Sequence, residues 1–564
     1  MLRQRHGCAA TQYTAPRVLC VLYPWTSGRP IPTLCKSPNP SSARSVIGST
    51  SQSSLLGEMI LPTIRAPSVM PSLLRNRSDA QQPLVTEAEM NTIFLLLFVV
   101  WTVLFTTRHV TRREDPLTEE ESRKLDEPLF LTPLLESNGT EQARRLSRVT
   151  LFEEYGVEAH SGYVTVDKGH GSHLFFLLTK AKHQPDTAPL ILWTFGGPGV
   201  SSLLGPLLFN GPAVVDALGQ LKAAPGGCMQ AFAHVLYLDH PVGSGYSFAE
   251  HDEDDRPFAK SVDDAVDGVD EFLRQFELLF PEFRGRQFYF AGESYSARDA
   301  FGYAHRYHIT GTRTSMKLAG IMSGAGFIAP LLRTANPAKF LLKLGLIDTE
   351  GRRLLDEKFG QMKESVEDQE ILVALLLLRE VFFGTETGTP SLFQELTGFQ
   401  HRASALRSTE PAEFAAYRQY VASDDFKRAV HAGVNATPER QRSFVTHSLY
   451  AYDAFKDITD MVQTVLDHHR VLLYGGNMDV VYPSDAMYRF LRSLHWSGDR
   501  EFAKARRRPY TNSSGTGEVV GYQLQVRNLS YALLVNAGHY VSFDNRRAVA
   551  DLYKDFVRAN VTPT

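Results

Sequence analysis

Short apolar runs bounded by turn residues are the main pattern of the chain from about residue 160 onwards. They lie at residues 190–195, 234–238, 287–290, 318–322, 470–474 and 531–535. Short continuous runs, as opposed to alternating ones, are typical of strands that are buried on both faces of a largely parallel sheet. The pattern therefore predicts an α/β protein.

Two further patterns add elements around this sheet. Residues 161–167 and 173–179 flank a Lys-Gly-His-Gly-Ser turn and predict an antiparallel hairpin. Ser261 is a good helix N-cap, and apolar residues then recur at helical spacing as far as Pro281. A helix between two of the predicted strands is what an α/β fold requires.

A long segment lacks strand signals. Between residues 331 and 465 helical patterns dominate, for example at 368–383 and 411–430. We interpret 331–465 as a helical insertion, or lid, which divides the α/β core into a first part at 125–330 and a second part at 466–560.

The N-terminal part of the chain has a different character. Residues 1–89 are rich in Ser, Pro and Arg without a helical or strand period, which predicts a disordered leader that is absent from the mature protein. An apolar run at 93–105 follows Met90. It is shorter than the roughly 20 residues that span a bilayer, so we expect 90–107 to be a signal peptide and translation to begin at Met90. The alternative is an uncleaved signal anchor, the only case in which membrane attachment is expected.

N-glycosylation sequons after this segment favour the secretory pathway. They begin at Asn138, Asn435, Asn512, Asn528 and Asn560. The cysteines weakly favour a reducing compartment, because Cys228 is the only one outside the leader and can form no internal disulfide. On balance we expect a secreted or lysosomal (vacuolar) protein.

The composition excludes other classes of protein. Of the 564 residues 43% are hydrophobic and the formal net charge is −3, so neither a largely disordered chain nor a nucleic-acid-binding surface is expected. The 18 His residues would begin to gain charge in a mildly acidic compartment. The adjacent His468 and His469 lack a further partner at metal-ligand spacing, so no metal site is expected.

A candidate nucleophile follows the predicted strand 287–290. The sequence continues Ala-Gly-Glu-Ser-Tyr-Ser-Ala, which resembles the strand-to-helix turn that exposes a catalytic serine, here Ser294. Such turns usually have Gly two residues after the serine, whereas this chain has Ser296. Taken alone the turn is a weak signal, because a serine at this place is often only a helix cap.

Two later strands supply partners for this serine. Asp479 and His539 each follow a predicted strand, and the order Ser, Asp, His is that of α/β-hydrolases. His539 would accept the proton of Ser294, while Asp479 would orient the imidazole. Backbone N–H groups of Gly197, in a glycine-rich turn, and of Tyr295 would form an oxyanion hole.

Together these elements resemble the serine carboxypeptidase family. Its motifs appear in order at 196–202, 241–248, 292–295 and 538–539. The resemblance covers about residues 125–558, and 127–134 are most similar to the vitellogenic carboxypeptidase-like branch. It implies an α/β-hydrolase fold and an enzyme that releases C-terminal residues from peptides through an acyl-enzyme intermediate, at acidic pH and without a cofactor.

The chain departs from the family where the terminal carboxylate of the substrate is held. The resemblance implies substrate contacts at Gly196 and a hydrogen-bonding cluster made by Glu293 and by the positions that Phe195 and Phe209 occupy here. A phenyl ring cannot hydrogen-bond a carboxylate, and each lost contact would cost roughly 1.5–3 kcal/mol. Tyr540, where Met commonly follows the catalytic histidine, would also alter the leaving-group pocket.

Glu293 is expected to have an unusual ionisation. Beside apolar rings its pKa should rise through desolvation, so that it would be a hydrogen-bond donor at mildly acidic pH. The alternative is that it only bonds the local backbone.

The sequence is compatible with three functions. The first is the carboxypeptidase acting on peptides. The second keeps the triad but accepts an uncharged leaving group, as an esterase, carboxamidase or acyltransferase. The third is a catalytically weak member that serves as a binding protein. The sequence carries no signal for the oligomeric state.

Overall fold

The computed structural model describes residues 126–252, 257–384, 388–512 and 517–559. The predicted leader, the predicted signal segment and Asn560 lie outside these ranges. Within the described residues, no helix is both long and apolar enough to cross a membrane.

A mixed sheet lies at the centre of the fold. The strands in chain order are β1 (Arg148–Val149), β2 (Ala159–Asp167), β3 (Ser172–Thr179), β4 (Leu190–Phe195), β5 (Ala213–Val215), β6 (Leu221–Ala223), β7 (His234–Leu238), β8 (Phe248–Ala249), β9 (Gln287–Glu293), β10 (Lys317–Gly324), β11 (Val471–Gly476), β12 (Arg508–Thr511), β13 (Val519–Val526) and β14 (Leu529–Leu534). Strands β5 and β6 form a separate two-stranded sheet.

The middle of the large sheet is parallel. In the spatial order β7, β4, β9, β10, β11 and β14, each strand pairs in parallel with the next. These are the strands that the short apolar runs predict, and β4 and β7 are buried along their whole length. The predicted α/β class is confirmed, since a sheet covered on both faces selects continuous apolar runs.

Antiparallel strands extend both margins of this parallel region. The predicted hairpin is confirmed as β2 and β3, and β3 also pairs with β7. At the other margin β14 pairs with β13 and β13 with β12. The apolar runs do not predict β13, because several of its side chains are exposed and its sequence is correspondingly polar.

The helices surround the sheet. They are α1 (Thr132–Glu136), α2 (Thr140–Leu146), α3 (Val262–Leu279), α4 (Ser296–Ile309), α5 (Leu331–Thr334), α6 (Ala338–Lys343), α7 (Thr349–Glu367), α8 (Ile371–Phe382), α9 (Leu392–Thr397), α10 (Ala412–Ala422), α11 (Asp424–Ala429), α12 (Arg442–Tyr452), α13 (Thr459–His468), α14 (Ser484–Ser493), α15 (Asp499–Lys504), α16 (Val541–Asp544) and α17 (Arg546–Arg558). Ser261 caps α3 as predicted, since its side chain accepts a hydrogen bond from the N–H of Asp264.

Helices cover both faces of the sheet. Because side chains alternate along a strand, Leu190 and Leu192 of β4 pack in one cluster with α3, α4 and α13, whereas Ile191 and Trp193 pack in another with α10 and α17. The two clusters bury an apolar layer on each face, which is the arrangement of a three-layer α/β fold.

The segment between β10 and β11 is helical, and its described residues contain no strand. Apolar residues of α5 to α9 and α12 form a third cluster, which also includes Tyr295, Phe327 and Tyr482 from loops of the core. The segment is therefore packed directly on the loops that follow β9, β10 and β11.

Candidate active site

Ser294 lies on the tight turn between β9 and α4. Its φ of 64° is in the left-handed region, which residues with a β-carbon seldom adopt. The N–H of Ser294 donates to the carbonyl of Gly324 (2.9 Å), and its carbonyl accepts from the N–H of Phe327 (3.0 Å). Hydrogen bonds to the end of the neighbouring strand thus hold this backbone in place.

Glycines let the turn pack closely. A β-carbon on Gly196 would lie 2.3 Å from the backbone N of Tyr295, and one on Gly292 would lie 2.0 Å from Oγ of Ser296. Ser296 stands where glycine is usual, and its buried hydroxyl lies 2.5 Å from Oγ1 of Thr194 on β4. The turn accommodates this serine because a small hydroxyl side chain finds a hydrogen-bond partner in the adjacent strand.

Ser294, His539 and Asp479 form a chain of hydrogen bonds. Nε2 of His539 lies 2.9 Å from Oγ of Ser294, and Nδ1 of His539 lies 3.1 Å from Oδ2 of Asp479. Oδ1 of Asp479 accepts from the N–H groups of Val481 (2.8 Å) and Tyr482 (3.0 Å). The three side chains meet because β9, β11 and β14 run in the same direction, so the loops that follow them lie at one edge of the sheet.

The turn after β4 reaches the same edge. Among the described residues, neither the N–H of Gly197 nor that of Tyr295 has a hydrogen-bond acceptor. Gly197 lines the same cavity as Ser294. Unpaired backbone N–H groups beside a nucleophile can stabilise negative charge on a tetrahedral intermediate.

A cavity of about 400 Å³ lies beside Ser294 and His539. The α/β core contributes Phe195, Gly197, Val200, Val481, Tyr482 and Tyr540 to its wall, and the helical segment contributes Leu331, Ala335, Leu378, Phe382, Phe383, Gln400, His401, Arg402, Ala403, Glu410, Arg442, Thr446 and Tyr450. Most of the wall therefore comes from residues that no local sequence motif marks as functional.

Aromatic rings occupy the positions where the resemblance implied polar contacts. The ring centroid of Phe195 lies 5.5 Å from that of Phe209 and 6.1 Å from that of Tyr540, and Phe209 stacks on Tyr540 at 6.0 Å. Phe195 and Tyr540 line the cavity, whereas Phe209 is fully buried behind them. This part of the wall offers rings to a substrate.

Glu293 directly precedes Ser294, is completely buried and is not among the described residues that line the cavity. Its Oε1 accepts from the hydroxyl of Tyr474 (3.2 Å), from the N–H of Ser542 (3.2 Å) and from the hydroxyl of Ser542. Oε2 has no partner among the described residues. Burial raises the pKa of Glu293 from its usual 4.5 to about 7, and the bond from Ser542 only partly opposes this rise.

The helical segment also contacts the loops that carry Asp479 and His539. The carbonyl of Ala403 accepts from the N–H of His539 (2.7 Å), and Ser404 forms an isolated antiparallel bridge with Asp479. Sequence patterns did not predict these contacts, because they join residues that are distant in the chain through the backbone and not through a recognisable side chain.

A buried ion pair joins the same segment to α4. Nε of Arg298 lies 2.7 Å from Oδ2 of Asp453, and the hydroxyl of Tyr295 donates to the same oxygen at 2.7 Å. Both charged side chains are almost completely buried. The residue directly after Ser294 is thereby tied to the end of α12.

Comparisons with known proteins agree with this architecture. The family model described as serine carboxypeptidase matches residues 151–559. The chain belongs to this family. The predicted family, the α/β-hydrolase fold and the carboxypeptidase function are confirmed: the protein is a serine-type carboxypeptidase that releases C-terminal residues from peptides.

Individual relatives cover most of the chain. A vitellogenic carboxypeptidase of Aedes aegypti is 31% identical over 77% of this chain and 90% of its own length. A venom serine carboxypeptidase of Apis mellifera is 31% identical over 82% of this chain and 97% of its own. A solved prohormone-processing carboxypeptidase of Saccharomyces cerevisiae shares the fold, with a TM-score of 0.60 at 18% identity over 73% of this chain and 96% of that one.

We predict that Glu293→Gln changes how the stability of this carboxypeptidase depends on pH. Folded Glu293 keeps its proton up to about pH 7 and unfolded glutamate loses it near 4.5, so ionisation destabilises the wild type as pH rises through this window. The variant has no ionisable group at this position, so its stability does not fall in this way. Relative to wild type, its free energy of unfolding should increase by about 3 kcal/mol between pH 4.5 and 7.

Urea unfolding at several pH values measures this difference. Glu141→Gln, on the exposed face of α2, corrects for the loss of one negative charge. A Glu293→Gln difference that is constant across the pH range would contradict the prediction.

Proposed function

We propose that Ser294, His539 and Asp479 are the catalytic triad of this carboxypeptidase. The observation that carries the proposal is the continuous hydrogen-bonded chain from Oγ of Ser294 to Oδ2 of Asp479 beside the cavity. His539 accepts the proton of Ser294 as Oγ attacks the scissile carbonyl, and then gives this proton to the leaving amine. Asp479 holds the imidazole in the tautomer that has Nε2 free to accept.

The N–H groups of Gly197 and Tyr295 form the oxyanion hole in this proposal. Both are without an acceptor among the described residues, so no bond has to break when the tetrahedral intermediate forms. The ensuing acyl-enzyme on Ser294 is hydrolysed by water that His539 activates in the same way.

A second candidate activity concerns the leaving group. The ring of Tyr540 lies 5.9 Å from that of His539, and Phe195, in contact with Tyr540, lines the same cavity. Rings accept an uncharged group more readily than a carboxylate. Hydrolysis of C-terminal amides or esters by the same triad is therefore a candidate in addition to hydrolysis of free acids.

The enzyme is proposed to work at acidic pH. Burial raises the pKa of Asp239 and of Glu293 to about 7, and it lowers that of His234 to about 4 and of His240 to about 3. These interior groups stay neutral between roughly pH 4.5 and 6.5. A shift from neutral to mildly acidic medium therefore places no new charge at these four positions.

The secretory pathway is the proposed destination. Asn138 and Asn435 start sequons and are exposed, so their amides are accessible to a glycan. Asn528 is a poorer acceptor, because its Nδ2 donates to the carbonyls of Leu466 and Asp467.

We expect Ser294→Ala to abolish turnover of N-benzoyl-Phe-Leu, with a loss of about 10⁴-fold or more, since the nucleophile is gone. Ser323→Ala is the matched control. It removes from β10, the strand next to β9, a buried hydroxyl that has no hydrogen-bond partner among the described residues, and it should retain activity. Release of leucine is measured between about pH 4 and pH 8, with the C-terminal amide beside the free acid. Wild-type turnover of the amide alone would select the second activity, and undiminished turnover by Ser294→Ala would contradict the triad.

Gly196→Ala should reduce kcat by about 10²- to 10³-fold, the usual effect of losing one oxyanion donor. The new β-carbon would lie 2.3 Å from the backbone N of Tyr295 and would displace that N–H. Gly475→Ala, near the end of β11, is the control, because within the described structure no atom beyond Gly475 and its two chain neighbours lies within 4 Å of the new β-carbon. Unchanged kcat in a folded Gly196→Ala enzyme would exclude the Tyr295 N–H from the oxyanion hole.

For the compartment, we expect the enzyme expressed in animal cells to carry glycans at both exposed sequons. N-glycosidase lowers the apparent mass of a glycoprotein by the mass of its N-linked glycans. Asn138→Gln and Asn435→Gln should each reduce this shift by the mass of one glycan. Asn528→Gln is the comparison and should leave this shift unchanged, because its amide is already bonded. Absence of any N-glycosidase shift in wild type would argue against the secretory route.

A further inference from the structure

The substrate of a carboxypeptidase brings a carboxylate into a partly buried cavity. Moving a carboxylate out of water is energetically costly unless a hydrogen-bonding or charged group of the protein replaces the water. Near the triad the cavity offers it the rings of Phe195 and Tyr540, and Glu293 is buried out of its reach. A cationic group elsewhere in the wall would give this carboxylate a partner that the rings cannot provide.

Among the described residues of the cavity wall there are two arginines, which differ in their partners. Arg442 is paired with Glu439 at 2.8 Å. Arg402 makes no ion pair and no side-chain hydrogen bond with any described residue, and its guanidinium lies 3.9 Å from the ring centroid of Phe383. The acid in the wall, Glu410, is itself paired with Arg418 at 2.6 Å.

The surroundings of Arg402 leave its positive charge without a neutralising anion among the described residues. It is partly buried among the cavity residues, and burial lowers its pKa from the usual range. Its neighbour in the chain, Ala403, accepts the hydrogen bond from the N–H of His539, so Arg402 is attached to the loop that carries the catalytic imidazole. A flat guanidinium stacked on a ring keeps its edge N–H donors free for a carboxylate.

We propose that Arg402 is the residue that binds a carboxylate of the peptide substrate in this cavity. The inference rests on the proposed function, because it takes Ser294 as the nucleophile at which the peptide is cleaved. The carboxylate is either the C-terminal one or that of an acidic side chain next to the cleaved bond. Both are the same chemistry for a guanidinium, and suitable substrates separate them.

The test compares Arg402→Gln and Arg402→Lys with wild type in the full-length enzyme. If Arg402 binds the C-terminal carboxylate, Arg402→Gln should lower kcat/KM for N-benzoyl-Phe-Leu by about 10- to 100-fold, mainly through KM, and should leave turnover of its C-terminal amide within about twofold. If it binds an acidic side chain, the same loss should appear with N-benzoyl-Glu-Leu instead. Arg402→Lys should recover part of the loss, since it restores the charge without the planar fork. Arg352→Gln is the matched control, because this exposed arginine of α7 pairs only with Asp356 in the described structure and lies outside the cavity wall.

A second substrate pair identifies the carboxylate. If the loss appears with N-benzoyl-Glu-Leu and not with N-benzoyl-Gln-Leu, Arg402 binds the side chain; if it appears with every free acid and no amide, Arg402 binds the C terminus. Equal acid-to-amide and Glu-to-Gln ratios in wild type and Arg402→Gln would overturn the inference.

Binding without turnover separates this inference from the proposed function. Calorimetric titration of Ser294→Ala with N-benzoyl-Phe-Leu and with N-benzoyl-Glu-Leu, each beside its neutral counterpart, is repeated with Arg402→Gln added. Tighter binding of a carboxylate probe that disappears with Arg402→Gln supports the inference even if the wild type cleaves no peptide. Turnover in wild type without such an Arg402-dependent difference keeps the proposed function and rejects the inference.

Discussion

The left-handed backbone at Ser294 is the constraint on which the rest of the site depends. A φ of 64° turns the chain sharply from β9 into α4 and places Ser294 in the cavity wall at the edge of the sheet. The turn is possible only where its neighbours leave room, and Gly196 and Gly292 provide that room. The same close approach brings the N–H of Tyr295 beside the glycine-rich turn after β4. The conformation of this single turn therefore positions both the Ser294 hydroxyl and the backbone N–H groups of Gly197 and Tyr295, which have no acceptor among the described residues.

The helical segment between β10 and β11 is part of the site and not only a cover over it. The carbonyl of Ala403 bonds the N–H of His539, and Asp453 pairs with the buried Arg298 of α4. A buried ion pair is costly to break because either partner alone is an uncompensated charge. Folding of this segment is consequently coupled to the placement of the loops that carry Ser294 and His539, and the same segment supplies most of the cavity wall.

Buried ionisable side chains change the stability of the folded state in opposite directions as pH falls. Histidines such as His234 and His431 have pKa values lowered to about 4, so the folded state loses stability as pH falls below 6.5, where only the unfolded state gains protons. Asp239 and Glu293, with pKa values near 7, retain their protons and contribute the opposite trend between 7 and about 4. The 18 His of the sequence therefore do not all become charged in mild acid, in contrast to what composition alone suggests.

The sequence by itself determined the parallel strands, the cap of α3 and the positions of Ser294, Asp479 and His539 after their strands. These features depend on short stretches of the chain, because continuous apolar runs, a capping serine and the residues that follow a strand can all be read locally. It did not reveal β13, whose half-exposed side chains leave no continuous apolar run. Nor did it reveal the surroundings of Arg402 or of Asp453, since the side chains that lie near each of them come from distant parts of the chain. Tertiary packing alone decided whether Arg402 has an ion-pair partner and whether Glu293 lines the cavity or is buried away from it. Packing determines both how far a charged side chain is removed from water and which groups lie within hydrogen-bond distance of it.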